Sequence, residues 1–279
     1  MLCVEEALKI DYPAATEAEC KRFLAACQDR KKTDDALKKE ASDLLENYLN
    51  WRSHHGLNDE QKVLSLAESL SNDSEDWQYA VKKAVGKQEN ANKLSQGGSE
   101  EPATSLPQFI YLHAFEDGTP IKDGKGHKLL HVLPAMIDRK AATAEMYGLA
   151  IAFYLDRKFD RASDEKMTLL LDVRAGAGWP NPNAFMMMTF VRKITKTLQG
   201  QYPGRCGSLI LFPVPRAAMS IWGAIKKVFH SDIMDTIALV PGPASRDSPI
   251  PKEVLERFID GDVLDLTESK RVDKFRPCQ

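Results

Sequence analysis

The chain holds 279 residues, 43% of them hydrophobic, with 38 Lys plus Arg against 40 Asp plus Glu and a formal net charge of -2. That length supports one large domain, or two unequal ones with real cores. The balanced charge excludes a global attraction to nucleic acid or to an anionic membrane, so any such attraction has to be local.

In chain order, the opening MLCVEEALKIDYP has acidic residues where a signal peptide needs basic ones, and it is expected not to be one. Thr16 with Glu19 has capping-box spacing ahead of CKRFLAACQDR. Thr33 precedes a second helix whose Leu37, Ala41, Leu44, Leu45, Tyr48 and Trp51 form one apolar stripe. Asn58 with Gln61 opens a third helix, and a fourth with Trp77 and Val81 begins around Asp73. The stretch Gln88 to Pro107 then takes on linker composition. The reading is a helical module over 1–95, a linker to about 107 and a second domain over 108–279.

In that second part QFIYLHAF (Gln108 to Phe115) and KLLHVLP (Lys128 to Pro134) read as strands around a turn-rich DGTPIKDGKG, followed by an apolar helix from Thr143 to Arg157. Three short apolar runs follow: Met167 to Val173, Ser208 to Val214 and Asp235 to Val240. Runs of this kind form parallel strands covered on both faces, and the helical spacing between them supplies right-handed crossovers. The fold expected is α/β, a mainly parallel sheet with crossover helices around an apolar pocket, behind a small all-helical module.

Signatures of chemistry are few. Gly176 and Gly178 follow a strand as a dinucleotide fingerprint would, but Asn181 stands at the third glycine and Pro180 where the phosphate-binding helix begins. His127 and His131 lie four apart in a run that reads as a strand, where they are ~13 Å apart and cannot share a metal. His54 and His55 sit at a helix end beside Gly56, where solvated histidines are ordinary. Cys3, Cys20, Cys27, Cys206 and Cys278 are odd in number and lack CxxC spacing, which argues against a disulfide framework or a zinc site and for a reducing compartment. Cys206 reads as a small apolar thiol. GxSxG, HExxH and GxxxxGK[ST] do not occur in the chain. The reading is a protein that is not an enzyme, needs no cofactor and holds no metal.

The segment from Arg216 to His230 is helical, with Ala217, Ile221, Trp222, Ile225 and Phe229 inside an apolar arc of about 160° and Lys226 and Lys227 opposite. Periodicity supports two readings. It is a crossover helix packed on its sheet, or an interfacial helix that covers an apolar cavity and rests on a bilayer.

Together these segments resemble the CRAL-TRIO lipid-binding family. The resemblance rests on KRFLAACQDR through NYLNWR, on FEDGTPI (Phe115 to Ile121), LLLDVRAG, LQGQYPGRCGSLILFPVP, the apolar helix at Trp222 and the strand DTIALV. It implies a lipid pocket with a mobile gate, formed here by Ile221, Trp222, Ile225, Lys226, Lys227 and Phe229. It also implies departures. The positions that hold an inositol phosphate match Cys27, Gln28, Gly204 and Thr236, and those that hold a phosphatidylcholine head group match Met167 and Leu169. None of these carries charge, so the ligand expected is less polar, such as a sterol, a tocopherol-like or retinoid-like molecule, or a fatty acid. IDGDVLDL (Ile259 to Leu266) departs from the family pattern as well.

The lining residues expected are Phe153, Met167, Leu169, Leu171, Ile210, Phe212 and Val214. The function expected is binding and transfer of a hydrophobic lipid by a cytoplasmic monomer that visits membrane surfaces and ignores nucleic acid. Moving a sixteen-carbon chain into water costs ~12 kcal/mol, at ~0.8 per methylene, so unaided transfer is slow. The alternatives are a lipid sensor or scaffold that moves no cargo, and a haem-binding variant using Tyr147, His113 or His131.

Overall fold

Five apolar runs become one sheet. The computed structural model describes residues 3–27, 33–57, 73–94, 106–115, 117, 119–176, 184–219 and 236–275; for 87–94, 184–191, 195, 217 and 218 it describes the backbone alone. The strands are β1 (Ile110–Leu112), β2 (Lys128–Val132), β3 (Met167–Asp172), β4 (Cys206–Val214) and β5 (Ile237–Pro241), lying side by side in chain order. β1 runs antiparallel to β2 through the turn-rich hairpin, and β2 to β5 are parallel. The class is the α/β one expected.

Parallel neighbours need crossovers, and right-handed crossovers between strands laid down in chain order return on one face. Helix α5 (Ala144–Lys158) joins β2 to β3 and α6 (Ala184–Gln201) joins β3 to β4. Side chains of both helices share one apolar cluster with Leu130, Val132, Met167, Leu169 and Leu171 of the sheet. Thr143 caps α5 by accepting from Met146 N at 3.2 Å, while Glu145 in the first turn and Arg157 and Lys158 in the last complement the helix dipole. A Cβ at Gly148 would meet the Thr197 side chain at 3.3 Å, so glycine lets α5 and α6 approach closely.

Among the described residues four helices precede the sheet: α1 (Val4–Asp11), α2 (Glu17–Cys27), α3 (Asp34–His54) and α4 (Asp73–Leu94). The capping box is present, with Thr16 N donating to Glu19 Oε2 at 2.8 Å and Glu19 N to Thr16 Oγ1 at 3.1 Å. Leu8, Cys20, Phe23, Cys27, Ala41, Leu45 and Tyr48 make a separate core. Leu44, read as part of the α3 stripe, is instead an exposed flank. His55, read as solvated, is buried between the Trp51 and Phe153 rings. α4 runs through Leu94, into the stretch read as linker. The helix expected from Asn58 lies outside the described residues.

An ionic seam joins these helices to the C-terminal end of α5. Asp156 pairs with Arg52 of α3, and Lys158 Nζ reaches Asp73 and Asp76 of α4 at 3.1 and 2.8 Å. Just past α5, Arg161 Nε meets Glu19 of α2 at 2.7 Å, and Tyr48 donates to the same carboxylate at 2.6 Å. Burial opposes ionisation of Glu19, but Arg161 and Tyr48 outweigh it and hold the carboxyl below its ordinary value. Removing one partner of such a pair would leave a buried charge uncompensated, which costs several kcal/mol.

The opposite face of the sheet is closed by α8 (Lys252–Leu255) and α9 (Gly261–Lys274), with α7 (Arg216–Met219) following β4. Leu129, Leu170, Ile210, Phe212 and Val240 pack there against Leu255, Ile259, Val263 and Leu264. Asp260 caps α9 by accepting from Asp262 N at 3.0 Å, so the stretch that departs from the family pattern is the start of a helix.

Candidate functional site

Residues in register on neighbouring strands stand on the same face of a sheet. Leu169 pairs with Leu209, and Leu209 with Ile237; Leu171 pairs with Leu211, and Leu211 with Leu239. Two apolar rows therefore cross three strands on the face that α5 and α6 share. Leu209 is 4% exposed, but Leu169, Leu171, Leu211, Ile237 and Leu239 are all partly exposed. Met167 and Cys206 close the row ends at the start of the strands. Burial pushes the Cys206 thiol up to about 11, so at neutral pH it is an apolar group. No charged side chain stands among these eight positions. Fully burying one leucine stabilises by ~1.5–3 kcal/mol, so partly exposed leucines on central strands leave apolar surface unused by the fold.

The other face differs. Leu170, Ile210, Phe212 and Val240 are at most 1% exposed beneath α8 and α9.

The seven expected lining residues are thereby divided. Met167, Leu169 and Leu171 share the leucine face, whereas Ile210 and Phe212 point to the filled one. Leu169 pairs with Leu209 rather than with Ile210, and that parity sets the division. Val214 is buried and pairs with Pro241 beyond a register irregularity. Phe153 lies in the seam, stacked on Trp51 at 6.0 Å and meeting His55 edge-on at 5.3 Å. Leu209, Leu211, Ile237 and Leu239, outside that expectation, stand on the leucine face with Met167, Leu169 and Leu171. A register shift beside Cys206 on β4 decides which residues of the two strands face together, and no periodicity within one strand reports it. Ile221, Trp222, Ile225, Lys226, Lys227 and Phe229 lie outside the described residues.

Among the positions matched to head-group contacts, Cys27 is in the core of the N-terminal helices and Gly204 has a φ of +70° beside the Arg22 side chain. Thr236 immediately precedes β5, and Gln28 is outside the described residues. Arg22 spends its guanidinium on the Ser163 and Arg161 carbonyls at 2.7 and 3.2 Å.

Of the residues of the haem reading, Tyr147 stands apart from the two histidines. The Tyr147 hydroxyl donates to Asp138 O at 2.9 Å and accepts from Asp138 N at 3.2 Å, on the α5 side. Leu130 and Val132 face α5, so His131 between them faces away, with His113 Nε2 3.1 Å from its Nδ1. His127 turns instead toward Asp123 and Thr168.

Beside His131 is a buried charged knot. Asp172 Oδ2 lies 2.6 Å from Arg174 Nη2 and 3.0 Å from Arg271 Nε, and Arg174 also pairs with Glu268. Burial favours the neutral acid, but His131 and Arg174 hold the Asp172 carboxyl down to about 2. Sequence reading missed this knot. The spacing of Val263, Thr267 and Arg271, four apart behind a capping Asp260, was the signal for its helix.

A search among curated proteins finds no match for this chain. The crystal structure of Sfh5 aligns with it at a TM-score of 0.45 and 11% sequence identity, over 80% of this chain and 65% of that one. The chain thus spans just under two thirds of the Sfh5 length. The family profile described as the CRAL/TRIO domain matches residues 118–264, from the β1–β2 hairpin to the first turn of α9. That match takes in the sheet from β2 to β5 and more than half of the residues, and the chain belongs to the CRAL/TRIO domain family.

Proposed function

We propose that the protein binds a hydrophobic lipid against the leucine rows and carries it between membranes without covalent chemistry. One observation carries this reading: Leu169, Leu171 and Leu211 stay partly exposed on central strands, while the reverse face of the same strands is filled. Membership of the CRAL/TRIO family supports it. The eight uncharged positions favour a weakly polar cargo, such as a sterol, an isoprenoid or a fatty acyl chain, over one whose phosphate needs a buried cation. Among the described residues no helix is long and apolar enough to cross a membrane, which suits a transient visitor to the surface.

In this reading the chain between β4 and β5 is the gate. The proposal has Ile221, Trp222, Ile225 and Phe229 covering the lipid and Lys226 and Lys227 meeting head groups. The protein acts as a cytoplasmic monomer. Native mass spectrometry with lipid extraction identifies a co-purifying lipid, and a vesicle assay then measures transfer of that lipid. Leu171→Trp with Leu211→Trp fills the leucine face and removes both loading and transfer, whereas full transfer by this variant refutes the reading. Retained loading without transfer would identify a sensor.

A further inference from the structure

The polar cluster under the filled face takes no part in holding a hydrocarbon. His113 follows β1 and His131 lies in β2; they are 8% and 1% exposed, with Nε2 and Nδ1 3.1 Å apart. Two imidazoles share such a bond through one proton, so one of the facing nitrogens must keep its lone pair. The other nitrogen of His131 is buried 3.9 Å from Asp172 Oδ2, with no hydrogen-bond partner among the described residues.

The surroundings are crowded with charge. From β1, the Tyr111 ring stacks on His113 at 5.8 Å. From the end of β3 come Asp172 and Arg174, and from α9 come Glu268, Lys270, Arg271 and Lys274. Four cations, Arg174, Lys270, Arg271 and Lys274, thus face two carboxylates, Asp172 and Glu268. Lys274 Nζ stands 4.7 Å over the Tyr111 ring. Past α9, Phe275 packs against Tyr111, Leu133 and Ala135, so the end of the helix is seated on this cluster.

We propose that the His113–His131 pair is an acid-sensitive latch that holds α9 on the sheet while the pair keeps a lone pair, and loosens it when both rings are protonated. A second proton puts two N–H groups face to face, breaks their bond and adds charge to an enclosure already rich in cations. Lifting α9 relieves this, because it admits water and removes Lys270, Arg271 and Lys274 together. Burial, then His131, Lys270 and Lys274, push His113 well below its ordinary value. The sign follows: below about pH 6.5 the released state takes up a proton that the docked state refuses, so docking weakens as pH falls, by up to about tenfold per pH unit for one group. Asp172 reaches the latch from the strand whose Leu169 and Leu171 face the other way, so release would also disturb the leucine rows. That last step rests on the lipid reading; the latch itself does not.

Hydrogen exchange of the full chain, corrected for intrinsic rates, tests the latch at about pH 7.5 and about pH 5.5. Protection of residues 263–275 is expected to fall by about tenfold at the lower pH and to stay below that of α5 at both. His113→Phe retains a ring on Tyr111 but cannot titrate, and should abolish the fall; His113→Gln serves if that variant does not fold. Unchanged protection of α9 in the native protein, or an equal fall in the variants, overturns the proposal. Equal protection of α5 and α9 at both pH values also overturns it, since α9 would then open only by global unfolding. In the native protein, nuclear magnetic resonance of the two imidazoles must show protonation in step with loss of α9 protection, and rings that titrate beneath a protected α9 refute the latch without any variant.

Discussion

On one face of the sheet Leu170, Ile210 and Phe212 are sealed beneath α8 and α9, while on the other Leu169, Leu171 and Leu211, one residue along on the same strands, remain partly accessible. The side chains are alike, so the difference does not lie in hydrophobicity. It lies in what covers them. The filled face uses its apolar area for stability, and its charged knot fixes α9 in one place. The leucine face keeps apolar area in reserve, which the proposed lipid would cover.

Substitutions at matched depth sharpen this contrast. The largest effect is expected at Phe212, where truncation to alanine leaves a cavity and costs about 3–5 kcal/mol in urea denaturation. Lipid load per folded molecule should stay unchanged. If load is lost while stability is not, the assignment of faces is reversed. Asp172→Asn leaves Arg174 and Arg271 without their shared carboxylate, and about 3 kcal/mol should be lost. The double variant Leu171→Trp with Leu211→Trp should show the opposite profile, with load down by about tenfold or more and stability changed by about 1 kcal/mol or less.

Smaller effects follow from titration. The unfolding free energy should fall below about pH 6.5 by up to about 1.4 kcal/mol per pH unit, because His113 stays neutral in the folded chain and ionises in the unfolded one. The carboxyl of Asp172, held at about 2, contributes stability above the ordinary aspartate range and loses it only as pH falls toward 2. The Lys193–Glu145 pair is half exposed or more on both sides, so Lys193→Ala should leave the denaturation midpoint unmoved.

Which parts were legible follows from how local each signal is. The capping box at Thr16 and Glu19, the helix read from Thr143 and the apolar runs of β3 and β4 depend on neighbours a few residues away, and they stand where the residues put them. His55 was misjudged because its burial comes from Phe153, far along the chain. That Phe153 meets Trp51 and His55 was not legible either, because an apolar helix does not say which neighbour each side chain meets. The Asp172 knot draws on β2, β3 and α9 at once, and no spacing along one element announces that meeting.

The amino-acid order alone determined the succession of helices and strands, the α/β class, the family resemblance and the lack of charge at Cys27, Gln28, Met167, Leu169, Gly204 and Thr236. Only the folded chain decided which leucines face together, since parity across parallel strands is set by register and by the irregularities on β4. It alone seated α9 and its charges beneath the sheet. Both outcomes depend on residues distant in sequence meeting in space, where burial and Coulomb forces act on neighbours that no local pattern names.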